Sequence, residues 1–288
     1  MTTHCETVLT TGAMSPLTMI EQSIRTTFKT RLMTPFVKAV IRYGLLEEGD
    51  HVMVAISGGK DSFVMAKLFE EIRRHNKFPF TLSFVAMDPG YRPEDRALLE
   101  ENAKALGIPL KVFETDIFRV LDRHARKHPC FLCARMRRGH LYAIAQSIGA
   151  NKLALGHHYD DVVETTLLNL FYSHQFKTMV PKIPAENYPG IELIRPMVHI
   201  KERDIILFAD RHNIPRMGCA CTVTAEKVSS KRREIKALLA TLSKDNPEIK
   251  DSIFTAAGII DLDAVYGVKD NNTTKDFNTL YTERRKKT

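Results

Sequence analysis

No apolar run in this 288-residue chain approaches the roughly 20 residues that cross a bilayer; the longest, such as "HVMVAI" and "NKLALG", fall far short. The opening stretch, "MTTHCETVLTTGAMSPLTMIEQSIR", lacks the basic-then-apolar pattern of a secretory leader, so the expectation is a cytoplasmic protein with no membrane partner. There is no internal repeat and no low-complexity tract, which excludes a solenoid and a biased linker-like chain. Cysteine is scarce and odd in number: Cys5, Cys130, Cys133, Cys219 and Cys221. In a cytoplasmic enzyme that count argues against a disulfide framework and for metal binding or redox chemistry.

Negative charge is in deficit as well, with 34 acidic residues against 42 Lys and Arg, a formal charge of +8. A basic surface favours a polyanionic partner, because Lys and Arg displace counterions condensed on a nucleic-acid backbone. The excess is clustered: "RHARKHP" and "CARMRRGH" lie within residues 123–140, "KVSSKRREIK" covers 227–236, and "TERRKKT" ends the chain. Each run alone is as well read as a solvated helix face. Together they favour RNA or DNA. The remaining composition, 44% hydrophobic and 26% charged, is that of an ordinary globular protein.

The pattern along the chain is β and α in alternation. Residues 1 to about 24 show no clean period, whereas apolar positions from Phe28 to Leu45 recur at helical spacing until "EEGD". "HVMVAIS", "FTLSFVAMD", "PLKVFETD" and "NKLALGHH" read as strands, and amphipathic helices separate them. Nearly continuous apolar strands joined by helical crossovers are buried on both faces, so the predicted fold class is α/β: a doubly wound parallel sheet with an N-terminal helical extension and C-terminal helices. The expected organisation is an N-terminal extension and helix over 1–46, an α/β domain carrying the C-x-x-C helix over 47–215, a cysteine-bearing helical segment over 216–267, and a basic, disordered tail over 268–288.

Ligands in such sheets sit beyond the carboxyl ends of the strands. Three strings fall there: "SGGKDS", "MDPGY" and "GHHYDD". The first is neither a Walker A loop nor a dinucleotide fingerprint. Val54 stands where a Walker loop needs glycine, Asp61 follows Lys60 where Ser or Thr should stand, and no third glycine opens the helix. What remains is Ser57-Gly58-Gly59-Lys60-Asp61-Ser62, in which bare glycines turn backbone N–H groups toward an anion at a helix N-terminus while Ser57, Lys60 and Ser62 add donors. That is a pyrophosphate cradle; the plainer reading is a βα turn with capping Asp and Ser.

"PCFLCARMRRG" places Cys130 and Cys133 at C-x-x-C spacing at a helix start, suited to two thiolates on one metal or cluster, with Cys219 or Cys221 available as a third. A structural zinc clip and unligated thiols are the competing readings. Arg137 lies one helical turn beyond Cys133 on the same face, where a permanent guanidinium charge can stabilise developing anionic charge or simply contact phosphate. In "GHHYDD", Gly156 allows close backbone approach, and Asp160 and Asp161 can hold Mg²⁺ or orient an acceptor. His157 and His158 either line a nucleotide site or are packed strand-end histidines.

With these motifs in place the sequence resembles the pyrophosphatase-loop (PP-loop) ATP adenylyltransferases, and within them the tRNA 2-thiocytidine synthetases. The resemblance covers roughly residues 28–257 and rests on "EEGDHVMVAISGGKDS", "CFLCARMRRGHLY", "NKLALGHHYDDVVETTLLNLFY" and "IELIRPM". It implies an adenine nucleotide α-hydrolase-like sheet, with ATP and Mg²⁺ as nucleotide and metal. Ala55, Ser57, Gly58, Gly59, Lys60, Asp61, Ser62, Met87, Asp88, Gly156 and His157 are implied around the nucleotide, Asp88 alternatively being a structural cap. It implies a [4Fe-4S] cluster on Cys130, Cys133 and one later cysteine. In the family that later region is usually a second C-x-x-C, whereas "GCACTV" has a single intervening residue; Cys221 is favoured and Cys219 is the alternative. Arg137, Asp161 and Asp160 are implied as catalytic, with Arg rather than Lys at 137 leaning toward cytidine over uridine. The implied reaction adenylates O2 of a cytidine in the tRNA anticodon loop and replaces that oxygen with sulfur from sulfide or a persulfide carrier, in a homodimer. The rivals are a relative thiolating uridine or another acceptor, and a non-catalytic zinc-bearing RNA-binding protein.

Overall fold

The structure is a computed structural model that describes residues 15–75, 77–118, 129–214, 230–270 and 273–286. Cys5, Cys219 and Cys221 lie outside the described residues, and Cys130 and Cys133 are placed only as positions on a helix. Six strands form the main sheet: β1 (His51–Ala55), β2 (Thr81–Asp88), β3 (Leu110–Glu114), β4 (Lys152–Ala154), β5 (Lys182–Pro184) and β6 (Glu192–Ile194). Their order is β3-β2-β1-β4-β6-β5, parallel throughout except that β5 runs antiparallel to β6 at the edge. Val54 of β1 is in register with Phe84 of β2 and with Ala154 of β4, so β1 is paired on both sides. Strand order reverses between β1 and β4, which opens a crevice at their carboxyl ends.

The period-2 geometry of the strands divides their side chains between two cores. Val52, Val54, Phe84, Ala86, Ala154 and Ile194 face one side, among Phe28, Phe36, Phe63 and Phe208. Met53, Val85, Met87, Leu153 and Leu193 face the other, against Ile144 and Ala145. The first side is covered by α1 (Pro16–Arg25), α2 (Thr34–Tyr43), α3 (Lys60–His75), α4 (Pro93–Ala105) and α7 (Glu202–Arg211); the second is covered by α5 (Pro129–Ser147). Helix α6 (Tyr159–Tyr172) follows β4, and α8 (Ser230–Asp245) and α9 (Ile249–Gly258) pack on it through Ile235, Leu239 and Phe254.

Two segments depart from the sequence reading. Residues 16–25, where no period was legible, are α1: Ser15 caps it through Thr18 N at 3.2 Å, Pro16 opens it, and Ile20 and Ile24 are buried. Ten residues give only three core positions, too few for a periodic signal, and the charge ties are non-local: Arg25 Nε bonds Glu71 on α3 at 3.1 Å. The helix expected from Thr27 onward is instead a π-helical turn, Lys29–Met33, followed by α2; Pro35 sits in the first turn of α2, where no backbone donor is needed.

The tail expected to be disordered is corrected too. A hairpin of β7 (Gly267–Asp270) and β8 (Thr273–Asp276) leads into α10 (Phe277–Arg285), which Asp276 caps through Thr279 N at 2.9 Å. Lys275 pairs with Glu283 at 2.8 Å, so part of the basic run is neutralised locally and is spared the self-repulsion that would keep it extended. Among the described residues no helix is long and apolar enough to cross a membrane.

Because Ile24 is fully buried against α3 and the π turn, Ile24→Ala is expected to lower stability by about 2–5 kcal/mol in urea unfolding, a loss an accessory, loosely packed extension would not produce.

Candidate active site

The β1–α3 loop is built to expose its backbone. Gly58 has φ of +82°, a left-handed conformation that a side chain would strain. The two serines brace the turn instead of projecting from it. Ser62 Oγ accepts from Ser57 N at 3.1 Å and donates to Gly59 O at 2.8 Å, while Ser57 Oγ donates to Ser62 Oγ at 3.3 Å. Lys60 opens the sixteen-residue α3, whose N-terminal dipole favours an anion at the loop. Its ammonium is held by Asp61 Oδ1 at 3.0 Å and by Glu202 Oε1 at 3.3 Å.

Beside the loop lies a cleft of about 270 Å³. The cradle contributes Ala55, Ser57, Asp61 and Ser62 to its lining, β2 contributes Met87, the β4–α6 turn contributes Gly156, His157 and Asp161, and α5 contributes Arg137. Four separated sequence motifs therefore meet in one crevice. Gly156 is the tightest junction: a Cβ there would lie 3.3 Å from both Asp61 C and Ser62 N, backbone atoms that cannot swing aside.

Arg137 brings into this cleft a guanidinium whose Nε has no hydrogen-bond partner among the described residues. Its guanidinium carbon sits 5.7 Å from the Phe118 ring centroid, and that Nε is buried. A buried, unsatisfied guanidinium nitrogen is costly and calls for an acceptor from a ligand. Tyr91, edge-on to Phe118 at 6.4 Å, lines the same cleft. His157 is partly buried, and desolvation pushes its pKa down to about 4; Asp161 opposes that shift, whereas Arg195, Arg232 and His158 reinforce it. The imidazole is therefore neutral at pH 7, with a buried Nδ1 left unpaired and able to serve a nucleotide.

The two adjacent aspartates are separated in role. Asp161 lines the cleft; its Oδ2 accepts from His158 N at 3.0 Å in a capping box, and its Oδ1 lies 3.4 Å from Arg232 Nη2. Asp160 is outside the cleft lining: Oδ2 accepts from Glu202 N at 2.7 Å and Oδ1 from Lys250 Nζ at 2.7 Å. Burial alone would raise the Asp160 carboxyl, but Lys250 and the Glu202 amide hold it below the ordinary carboxylate value. It caps α7 and pins α9. Asp88 is likewise outside the cleft lining, accepting from Gly90 N at 2.8 Å, Tyr91 N at 2.6 Å and Arg96 Nη1 at 3.0 Å; through Tyr91 it shapes the cleft wall. Gly58, Gly59 and Lys60 form the cradle without lining the cleft.

A charge network missed from the sequence backs this wall. Arg232 and Lys236, part of the basic run on α8, turn onto Glu164 at 3.0 and 3.5 Å, and Lys236 also pairs with Glu202 at 3.2 Å. Glu202 thereby links the cradle lysine to α8. Burial pushes Glu164 above its ordinary value despite both cations, while on Glu202 burial is outweighed by His158, Lys236 and Lys60. Arg195, from "IELIRPM", is buried with an unpaired Nε, and its burial and Arg138 depress its pKa to about 10. Glu164 stands inside "NKLALGHHYDDVVETTLLNLFY" and Glu202 outside every quoted string, but the ion pairs that join them depend on how α6, α7 and α8 pack, so only the fold reveals the network. Among the described residues no three His, Cys, Asp or Glu side chains converge on one point, so Mg²⁺ arriving with a nucleotide would take its ligands chiefly from phosphate and water, with Asp161 beside it.

Fold and cleft together define an α/β nucleotide-binding domain of the pyrophosphate-cradle class, and residues 24–217 match the PP-loop domain family. The chain is 39% identical over 230 residues to the tRNA-cytidine(32) 2-sulfurtransferase of Citrifermentans bemidjiense, an alignment covering 79% of this chain and 89% of the relative. It is 36% identical over 243 residues to that of Geotalea uraniireducens, covering 83% and 94%. The chain belongs to this PP-loop family of tRNA-cytidine(32) 2-sulfurtransferases. Its fold is shared with the U34-tRNA thiolase NcsA of Methanococcus maripaludis, solved with its [4Fe-4S] cluster, at a TM-score of 0.66 and 23% identity over 80% of this chain and 78% of the other.

Two outcomes follow from this geometry. Gly156→Ala should weaken ATP binding at least about tenfold by calorimetry, since a contact tighter than most Cβ atoms tolerate forces cradle and strand apart. For His157 the native state binds its proton only near pH 4 while the unfolded chain binds it at 6.5. Its stabilising contribution is therefore complete above that upper value and lost as pH falls toward 4, and ¹⁵N chemical shifts of the ring should stay those of neutral imidazole down to pH 5.

Proposed function

We propose that this protein is an ATP-dependent tRNA thiolase that makes 2-thiocytidine. The observation that carries the reading is that one helix, α5, bears both the Cys130–Cys133 positions and Arg137, which lines a cleft walled by the pyrophosphate cradle and whose Nε has no partner among the described residues. The cradle residues Ser57 to Ser62 hold the leaving pyrophosphate of ATP. Ala55, Met87, Gly156 and His157 line the nucleotide site, and the backbone donors positioned by Asp88 close its rim.

The cytidine O2 attacks the α-phosphorus, the bond to pyrophosphate breaks, and AMP becomes the leaving group of the activated base. Arg137 stabilises the negative charge that grows on the α-phosphate oxygens; its buried Nε gains the acceptor it lacks in the free protein. Asp161, held by the His158 cap, orients the base and Mg²⁺. Asp160 acts as a positioning residue through α7 and Lys250. A [4Fe-4S] cluster on Cys130, Cys133 and Cys221, with Cys219 as the alternative third ligand, supplies the sulfur chemistry. Cysteine thiolates at helix positions i and i+3 suit two corners of such a cluster. Sulfide or a persulfide carrier is the donor, the working unit is a homodimer, and the reaction belongs in the cytoplasm.

The direct test is nucleoside analysis of tRNA incubated with ATP, sulfide and protein purified without oxygen. The expected product is 2-thiocytidine; thiouridine in its place would overturn the acceptor assignment. Asp61→Ala should abolish AMP release, because Asp61 lines the cleft and holds Lys60, while leaving iron content unchanged. Cys130→Ala should remove the iron and spare ATP binding. Asp161→Asn should cut turnover at least about a hundredfold, in the range for a lost catalytic group. Asp160→Asn should instead lower the unfolding midpoint and leave most of the turnover.

A further inference from the structure

We propose that the aromatic corner at the C-terminal end of α6, centred on Phe171 and Phe176, is a docking surface for unpaired bases of the tRNA. This rests on the reading of the protein as a tRNA-modifying enzyme and adds the surface that engages the RNA beyond the reacting base. Phe171 and Phe176 are 49% and 47% exposed, and Leu170 and Val180 beside them in sequence are also exposed. About half of each residue stays in water, apolar area that folding leaves unburied.

The corner is built rather than frayed. Asn169 Nδ2 donates to Lys177 O at 3.0 Å, Gln175 N donates to Asn169 O at 3.2 Å, and Thr166 and Thr178 hydroxyls meet at 2.8 Å. These bonds fold the segment after α6 back along the helix and hold His174 at a φ of +52°, a left-handed conformation costing a non-glycine residue about 1 kcal/mol or more. The result is a fixed turn that presents Phe176 outward.

Its charge selects the partner. Between Glu164 and Glu186 the sequence has no carboxylate, and His174 and Lys177 fall in the turn; Lys182, farther on in β5, is taken up by Glu192 and Gly44 O. From α8 the ammonium of Lys231 lies 4.5 Å from the Tyr172 ring centroid, while the Tyr172 hydroxyl donates to Glu234 at 2.7 Å, so α8 brings one charge of each sign to this edge and the excess of cations comes from His174 and Lys177 in the turn itself. Protein–protein interface centres are depleted in charge, whereas single-stranded nucleic acid is held by bases stacked on aromatic rings with Lys and Arg tracking the phosphates. Position also fits. Asp161 and Phe171 stand ten residues apart on one helix, about 15 Å along its axis, so a strand with one base in the cleft passes its neighbours across this corner.

The chain has no tryptophan, so Phe176→Trp provides a single fluorescent reporter. Emission is expected to be quenched by an anticodon stem-loop RNA and left nearly unchanged by a blunt RNA duplex of equal length. Phe171→Ala/Phe176→Ala should weaken stem-loop binding about tenfold, the scale of one or two lost stacking contacts, while ATP binding stays as in the wild type. Lys177→Ala should reduce the salt dependence of binding. Stem-loop binding without any emission change, or with unaltered affinity in the double variant, would overturn the proposal. So would an emission shift that grows with protein concentration in the absence of RNA, which would assign the corner to a second copy of the chain. These readouts need neither cluster nor sulfur: quenching by a protein that forms no 2-thiocytidine would overturn the reaction assignment and leave the docking surface standing.

Discussion

The approach of the β4 end to the first turn of α3 is the constraint on which the rest of the site depends. Gly156 sits so near the Asp61 and Ser62 backbone that even a methyl group would lie 3.3 Å from both, and the backbone would have to give way. That contact exists because β1 and β4 are hydrogen-bonded neighbours whose following segments leave in opposite directions. The turn bearing Asp161 and the loop bearing Asp61 then share one cleft, and α5 closes it with Arg137. Shifting any one of the three would take Asp61, Asp161 or Arg137 out of the shared cleft.

Much of this was legible in the chain. Buried parallel strands betray themselves as continuous apolar runs, and "HVMVAIS" and "FTLSFVAMD" became β1 and β2 as read. The cradle was legible because glycine and small polar residues between a strand and a helix have few other uses. What was not legible is that the two serine hydroxyls also brace the loop itself, Ser62 on Ser57 N and Gly59 O, while both residues line the cleft. Nor does spelling separate two adjacent aspartates. Asp160 and Asp161 point about 100° apart on a helix, and which one meets the cleft depends on where α7 and α9 dock.

The basic helix α8 shows the same limit of composition. Counted as charge, "KRREIK" argues for RNA, but Arg232 and Lys236 are neutralised by Glu164 and Glu202, leaving Lys231 at the outer edge. Glu202 matters most here, since it holds both Lys60 and Lys236 and its own amide is held by Asp160. Lys60 at the loop and Lys236 on α8 thus share one carboxylate.

Helix α5 has a consequence of a different kind. Positions 130, 133 and 137 lie on one rigid rod, so the offset between the cysteine pair and the guanidinium is set by helical pitch, about 6 Å from 133 to 137, and not by tertiary adjustment. The helix works as a ruler with a phase as well as a length. Inserting one residue between 133 and 137 would rotate the cysteine positions by about 100° relative to Arg137, which makes this spacing far less free to drift than the residues that merely fill the core.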